Sequence, residues 1–131
     1  MIRGSCLCGG VSFEITGGLD RASHCHCTMC RKAHGAAFGS YVGVQRESFR
    51  WLTGEDLVRG FASSPEVTRT FCSRCGSTLQ YLHRAEPKRF ALALGVLDDD
   101  PGVRPALHIF VADKAPWFEI TDSLPQQSGD A

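Results

Sequence analysis

The seven cysteines of this 131-residue chain stand in three groups: Cys6 and Cys8, then Cys25, Cys27 and Cys30, then Cys72 and Cys75. Thiols two or three residues apart are poorly placed to bridge each other, and an odd number does not suit a disulfide framework. Inert core thiols would be scattered rather than gathered. Clustered soft thiolates suit zinc, which takes four ligands in a tetrahedron. Cys72-Ser-Arg-Cys75-Gly76 has the form of a knuckle that offers two sulfurs to one ion, and Cys6-Leu-Cys8-Gly9-Gly10 is a tighter version. Each is half a site. Paired, Cys6, Cys8, Cys72 and Cys75 predict a closed structural zinc site. It would tie the N-terminus to mid-chain and contribute several kcal/mol by analogy with a disulfide cross-link.

The run His24-Cys25-His26-Cys27-Thr28-Met29-Cys30 offers three more sulfurs. Three protein ligands and one open position is the pattern of a reactive zinc site. Two other arrangements compete with it. His24, His26 or His34 would close the site by filling the fourth place, and a zinc ribbon joining Cys27 and Cys30 to Cys72 and Cys75 would leave Cys6, Cys8 and Cys25 unused. Three thiolates make the site net negative, so its zinc is a poor acid towards water and hydrolysis fits badly. A fourth sulfur is a natural guest. An incoming thiol held there as thiolate would be ready to attack a small aldehyde, giving a hemithioacetal. Cys25, Cys27 and Cys30 are therefore the predicted catalytic-type ligands.

These residues need a scaffold of short strands. Val11-Ser-Phe-Glu-Ile15 alternates apolar and polar, as a half-buried strand does. Gly17-Gly18 turns the chain into Leu19–His24, and a helical turn is expected over Met29–Ala33. Ser40–Val44, Phe49–Thr53, Leu57–Ala62, Val67–Phe71, Leu79–His83, Phe90–Leu94 and Leu107–Val111 read as further strands between turn signals. Asp98–Gly102 reads as an exposed loop, and Ser123–Ala131 as a frayed tail. The expected fold is mainly β, short antiparallel sheets in one domain over 1–125, with a flexible tail over 126–131.

Composition narrows the class. Apolar residues make up 43% and charged residues 21%, which excludes a disordered chain or coiled coil. Fourteen basic residues balance fourteen acidic ones, so nucleic acid is not an expected partner. The longest apolar stretch, Phe90–Leu97, is far short of a membrane span, and the first residues carry no secretion-type apolar run. A cytoplasmic location is the expectation.

Gly4–Val11, His24–Gly35, Phe71–Ser77 and His108–Trp117, taken in order, resemble the glutathione-dependent formaldehyde-activating enzyme family, whose domain is shared with centromere protein V. The resemblance implies a β-tent-like fold of coiled sheets organised around two zinc ions. It assigns Cys6, Cys8, Cys72 and Cys75 to the structural ion and Cys25, Cys27 and Cys30 to the catalytic-type ion. It also implies a carbon–sulfur lyase that joins glutathione to formaldehyde. Glutathione's carboxylates would need cationic or N–H partners, for which Arg31 and Lys32 are candidates against the simpler reading of a solvated face. His108 reads as a satisfied core histidine, and one of His24 and His26 as support for the ligands. Lys114-Ala-Pro-Trp117 reads as a turn that packs an aromatic ring. Two readings compete with the enzyme: a non-catalytic, zinc-stiffened thiol-binding or interaction module, and redox chemistry at Cys27 and Cys30, which requires metal-free thiols.

Overall fold

The computed structural model describes residues 1–130; Ala131, the end of the expected tail, lies outside the described residues. Ten strands and one α-helix follow in order: β1 Ile2–Ser5, β2 Ser12–Ile15, β3 Ala22–Cys25, α1 Thr28–His34, β4 Gly39–Gln45, β5 Phe49–Thr53, β6 Val58–Ala62, β7 Val67–Cys72, β8 Thr78–His83, β9 Arg89–Ala93 and β10 Pro105–Ile109. They form a three-stranded sheet, β1-β2-β5, and a seven-stranded sheet, β10-β3-β4-β9-β8-β7-β6. The fold is mainly β, with open sheets. No helix among the described residues is long and apolar enough to cross a membrane.

Pairing is antiparallel except at one end of the large sheet, where β10 lies parallel to β3. The expectation of antiparallel sheets is corrected there. Parallel pairing needs a long crossover, and residues 94–104 between β9 and β10 supply it. The chain also opens on a strand the alternation does not signal: β1 pairs with β2 through Ile2↔Ile15 and Gly4↔Phe13. A side chain at Gly4 would meet the Phe13 ring, so only glycine admits this close approach.

The core sits between the two sheets. Phe13, Ile15, Val42, Val44, Phe90 and Leu92 are buried there. Phe13 stacks on Phe49 at 5.1 Å, and Trp51 meets both edge-on. The Asp98–Gly102 stretch is a loop, and it is hooked to β1. Asp99 accepts from the Arg3 amide at 2.8 Å, and Asp98 from the Ser5 hydroxyl at 2.8 Å.

After Ser123 the described chain pairs with β10 and the residues that follow it. The His108 amide donates to the Pro125 carbonyl at 2.9 Å, and the Gln127 amide donates to the His108 carbonyl at 2.9 Å. Phe110 and Ala112 amides reach the Gly129 and Ser128 carbonyls. Free donors and acceptors along β10 recruit this segment, a long-range pairing that local composition cannot announce.

Candidate metal and thiol centre

Two cysteine clusters assemble, one at each group of loops. Cys6 and Cys8 follow β1, while Cys72 ends β7 and Cys75 lies in the β7–β8 hairpin. Their four sulfurs lie within 4.8 Å of one another. Cys6 and Cys8 sulfurs are 3.5 Å apart, and Cys8 and Cys72 sulfurs 3.9 Å. A tetrahedral ion with metal–sulfur bonds of about 2.3 Å needs edges of about 3.8 Å, so the cage fits zinc. Gly9 and Gly76 hold φ of 76° and 81°, which lets each knuckle turn back on itself. The Val11 amide points at Cys6 Sγ at 3.3 Å, and Arg74 Nε at Cys8 Sγ at 3.3 Å. Such donors favour thiolates: backbone bonding first, then Arg74, holds the Cys8 thiol below its ordinary value.

The second cluster is built where β3 ends and α1 begins. Cys25 is the last residue of β3, Cys27 is the N-cap of α1, and Cys30 lies in its first turn. Cys27 Sγ accepts from the Cys30 amide at 3.3 Å, and α1 ends at Gly35, whose N–H caps the Arg31 carbonyl. The three sulfurs also lie within 4.8 Å of one another. Among the described residues no imidazole or carboxylate joins them. His24 Nδ1 bonds Ser40 Oγ at 2.8 Å, His26 Nε2 bonds His108 Nδ1 at 2.7 Å and His34 Nε2 bonds Tyr41 Oη at 2.8 Å. The ribbon pairing is overturned too, because Cys72 and Cys75 sit with Cys6 and Cys8.

Arg69, a residue outside every motif, underlies this cluster. Its guanidinium reaches Cys30 Sγ with both terminal nitrogens at 3.7 Å and donates to Tyr41 Oη at 3.0 Å. It also stacks over the Tyr81 ring at 5.1 Å. Burial opposes the charge on Arg69, but Tyr41 and Cys30 beside it more than offset that. Hydrogen bonds from Cys25 and Cys30 pull the Cys27 thiol far below its ordinary value, and its bond to Cys27 pushes Cys25 far above. Burial raises the Tyr41 hydroxyl, so it stays a neutral donor.

Cys25 and Cys27 open onto a cavity of about 550 Å³ walled by Met29, Tyr41, Tyr81, Ala91, Ile109 and Phe110, among others. Beyond the shared wall of Ser23, Tyr41, Tyr81, Ala91 and Ile109 lies a smaller recess of about 190 Å³. The recess carries Arg21, His83, Glu86 and Arg89. Strand alternation puts Cys25 and Ser23 on one face of β3, and Arg21, just before the strand, lines the recess. Gly43 floors the recess, where a Cβ would press on Arg89 and Asp20. Arg31 and Lys32 line neither space.

His108 is buried with both ring nitrogens partnered, by His26 and by Asp122, as a satisfied core histidine should be. Burial holds His26 down at about 4. In the Lys114–Trp117 turn the lysine caps the Ala115 and Phe118 carbonyls, while Trp117 itself is 69% exposed and packs little.

A strand scaffold with a four-sulfur and a three-sulfur cluster, either of which could hold a metal ion, defines the class of this protein. The chain belongs to the glutathione-dependent formaldehyde-activating enzyme family, whose profile matches residues 1–113. It is 27% identical to a Halomonas elongata protein provisionally named a glutathione-dependent formaldehyde-activating enzyme, over 92% of this chain and 81% of that one. A Schizosaccharomyces pombe protein named an uncharacterized lyase is 30% identical over 62% of this chain and 57% of its own length. A crystal structure of a Rhodobacter sphaeroides protein superposes with a TM-score of 0.63 at 23% identity, covering 79% of this chain and 91% of that one. That likeness concerns the fold.

Proposed function

We propose that the protein joins a thiol, glutathione by its family, to formaldehyde or another small aldehyde, or cleaves the adduct, at Cys25, Cys27 and Cys30. The carrying observation is a three-sulfur cluster, with no fourth protein ligand among the described residues, at the wall of an open cavity. We assign Cys6, Cys8, Cys72 and Cys75 to a structural zinc and the trio to a catalytic-type zinc. Bound zinc would stabilise the incoming sulfur as thiolate at neutral pH.

The chain's own residues do the rest. In the forward direction a carbon–sulfur bond forms, the carbonyl π bond opens, and the thiol's proton ends on oxygen as a hydroxymethyl group. No oxidant is needed. Tyr41 Oη, held by Arg69 and His34, is a neutral hydroxyl on the cavity wall, joined to Cys30 through Arg69. It orients the aldehyde oxygen and relays to it the proton the thiol gives up, ending as the neutral hydroxyl it began as. Met29, Ile109 and Phe110 keep the reacting carbon in an apolar pocket. Arg21 and Arg89 in the recess offer cations to the thiol's carboxylates, the role considered above for Arg31 and Lys32, and Glu86 offers a partner for its ammonium.

The test is zinc content with adduct kinetics by exchange spectroscopy, since the uncatalysed addition also proceeds. Wild type should hold two zinc ions and accelerate formation. Cys30→Ser should keep the four-sulfur zinc and the fold while losing at least about 100-fold in rate, the scale of one catalytic group. Glutathione binding without acceleration would favour the non-catalytic module instead.

A further inference from the structure

A buried polar chain stands beside the three-sulfur centre and has no part in the reaction proposed above. His26, between Cys25 and Cys27, is fully buried, and so, within 1%, is His108. His26 Nε2 meets His108 Nδ1 at 2.7 Å, and His108 Nε2 meets the Asp122 carboxylate at 3.0 and 3.1 Å. Phe38 and Phe118 close around His26, with ring centroids at 5.0 and 6.3 Å. Asp122 and Phe118 both lie beyond residue 113, where the family match ends.

The proton order along this chain follows from donor chemistry. A carboxylate only accepts, so His108 Nε2 carries hydrogen and donates. A neutral His108 then accepts at Nδ1, so His26 Nε2 carries the hydrogen of that bond. His26 Nδ1 is left as a buried lone pair with no partner among the described residues. Asp122 is itself held in place: the Leu124 amide donates to it at 3.0 Å, and Pro125 and Gln127 clip the segment to β10. The His26 amide donates to the Ile109 carbonyl at 3.0 Å, so ring and backbone of His26 are both tied to β10.

We propose that Asp122, acting through His108, is a positioning residue for the three-sulfur centre. It fixes His26 in one tautomer and one ring orientation, and so holds the turn that presents Cys25 and Cys27. Residues 114–130 thus serve as a clasp on the centre. Carboxylate–imidazole pairs commonly orient a ligand directly; here the pair acts one residue away from the ligands. The proposal rests on the reading that the trio holds zinc.

The experiment uses the full, zinc-loaded chain. Long-range proton–nitrogen spectra of its five histidines should show both His26 and His108 as Nε2–H tautomers. Asp122→Ala should replace that pattern by a mixture and speed zinc release from the trio to a colorimetric chelator about 10-fold. The cobalt absorption bands of the trio should shift, while release from the four-sulfur centre, read separately in Cys30→Ser, stays unchanged. Asp122→Asn keeps an acceptor oxygen and should restore the tautomers and slow release. Unchanged histidine spectra and trio release in Asp122→Ala, or equal acceleration at both centres, overturn the proposal. A wild-type protein holding a single zinc would instead overturn the metal reading beneath it, and this proposal with it.

Discussion

Arg69 is the cation that contacts the trio. Cys27, pulled towards its thiolate by Cys25 and Cys30, places negative charge in the trio, and this guanidinium faces Cys30 with two nitrogens while holding Tyr41 with one. Its planar fork, not its charge alone, serves both partners. Arg69→Lys should therefore lose most of the rate, at least about 10-fold, with zinc content unchanged. Arg69→Met should in addition cost about 1.5–3 kcal/mol in urea unfolding, the scale of a hydrogen bond to a charged group. A Lys variant with wild-type kinetics would show that positive charge suffices. No motif marks Arg69, because its partners lie 39 and 28 residues away in the chain. The available signal was a lone charge at an inward position of a strand, next to Val67 and Cys72. The cysteines were legible because each cluster is local, and their chemistry follows from residue type alone.

Among the elements, the knuckles carry a conformational demand that only sequence-local glycine meets. Gly76 holds φ of 81°, and a Cβ there would meet nothing within 4 Å. Gly76→Ala should thus cost about 1–2 kcal/mol, purely as left-handed backbone strain. Gly76→Asn, which tolerates that region better, should cost less. Urea midpoints of the three proteins, at equal zinc, check the order; an Ala variant as stable as wild type would mean the knuckle relaxes. Knuckles, most strands and the turn of helix at Met29–Ala33 could be read because their signals span a few residues. β1 could not, since Gly4 in a strand reads as a break until Phe13 is seen to lie across it. The pairing of β10 with β3 and with residues 125–129 escaped for a different reason. Those partners are brought together by topology, not by alternation.

At the scale of the whole molecule, the two sulfur centres differ in what they hold together. The four-sulfur cage joins the β1–β2 loop to the β7–β8 hairpin, and Cys6 and Cys72 are part of a buried cluster with Val11 and Leu79. Cys8 and Cys72 are 64 residues apart. By analogy with a disulfide over such a loop, a metal tie there is worth about 4 kcal/mol. The trio closes only a short local turn, and the register beside it, Cys25↔Gly39 and Ile109↔Cys25, is held by backbone hydrogen bonds that need no metal. Four thiolates also grip an ion more tightly than three. Graded chelation should therefore remove zinc in two steps. The first should empty the trio with the far-ultraviolet spectrum unchanged, leaving a folded, one-zinc species in native mass spectrometry. The second should lower the melting temperature by about 10–20 °C, the shift expected for about 4 kcal/mol in a domain of this size. Cys30→Ser should show the second step alone. Simultaneous loss of both ions with unfolding would mean that the trio, too, holds the sheet together, and that a closed scaffold rather than an open site describes it.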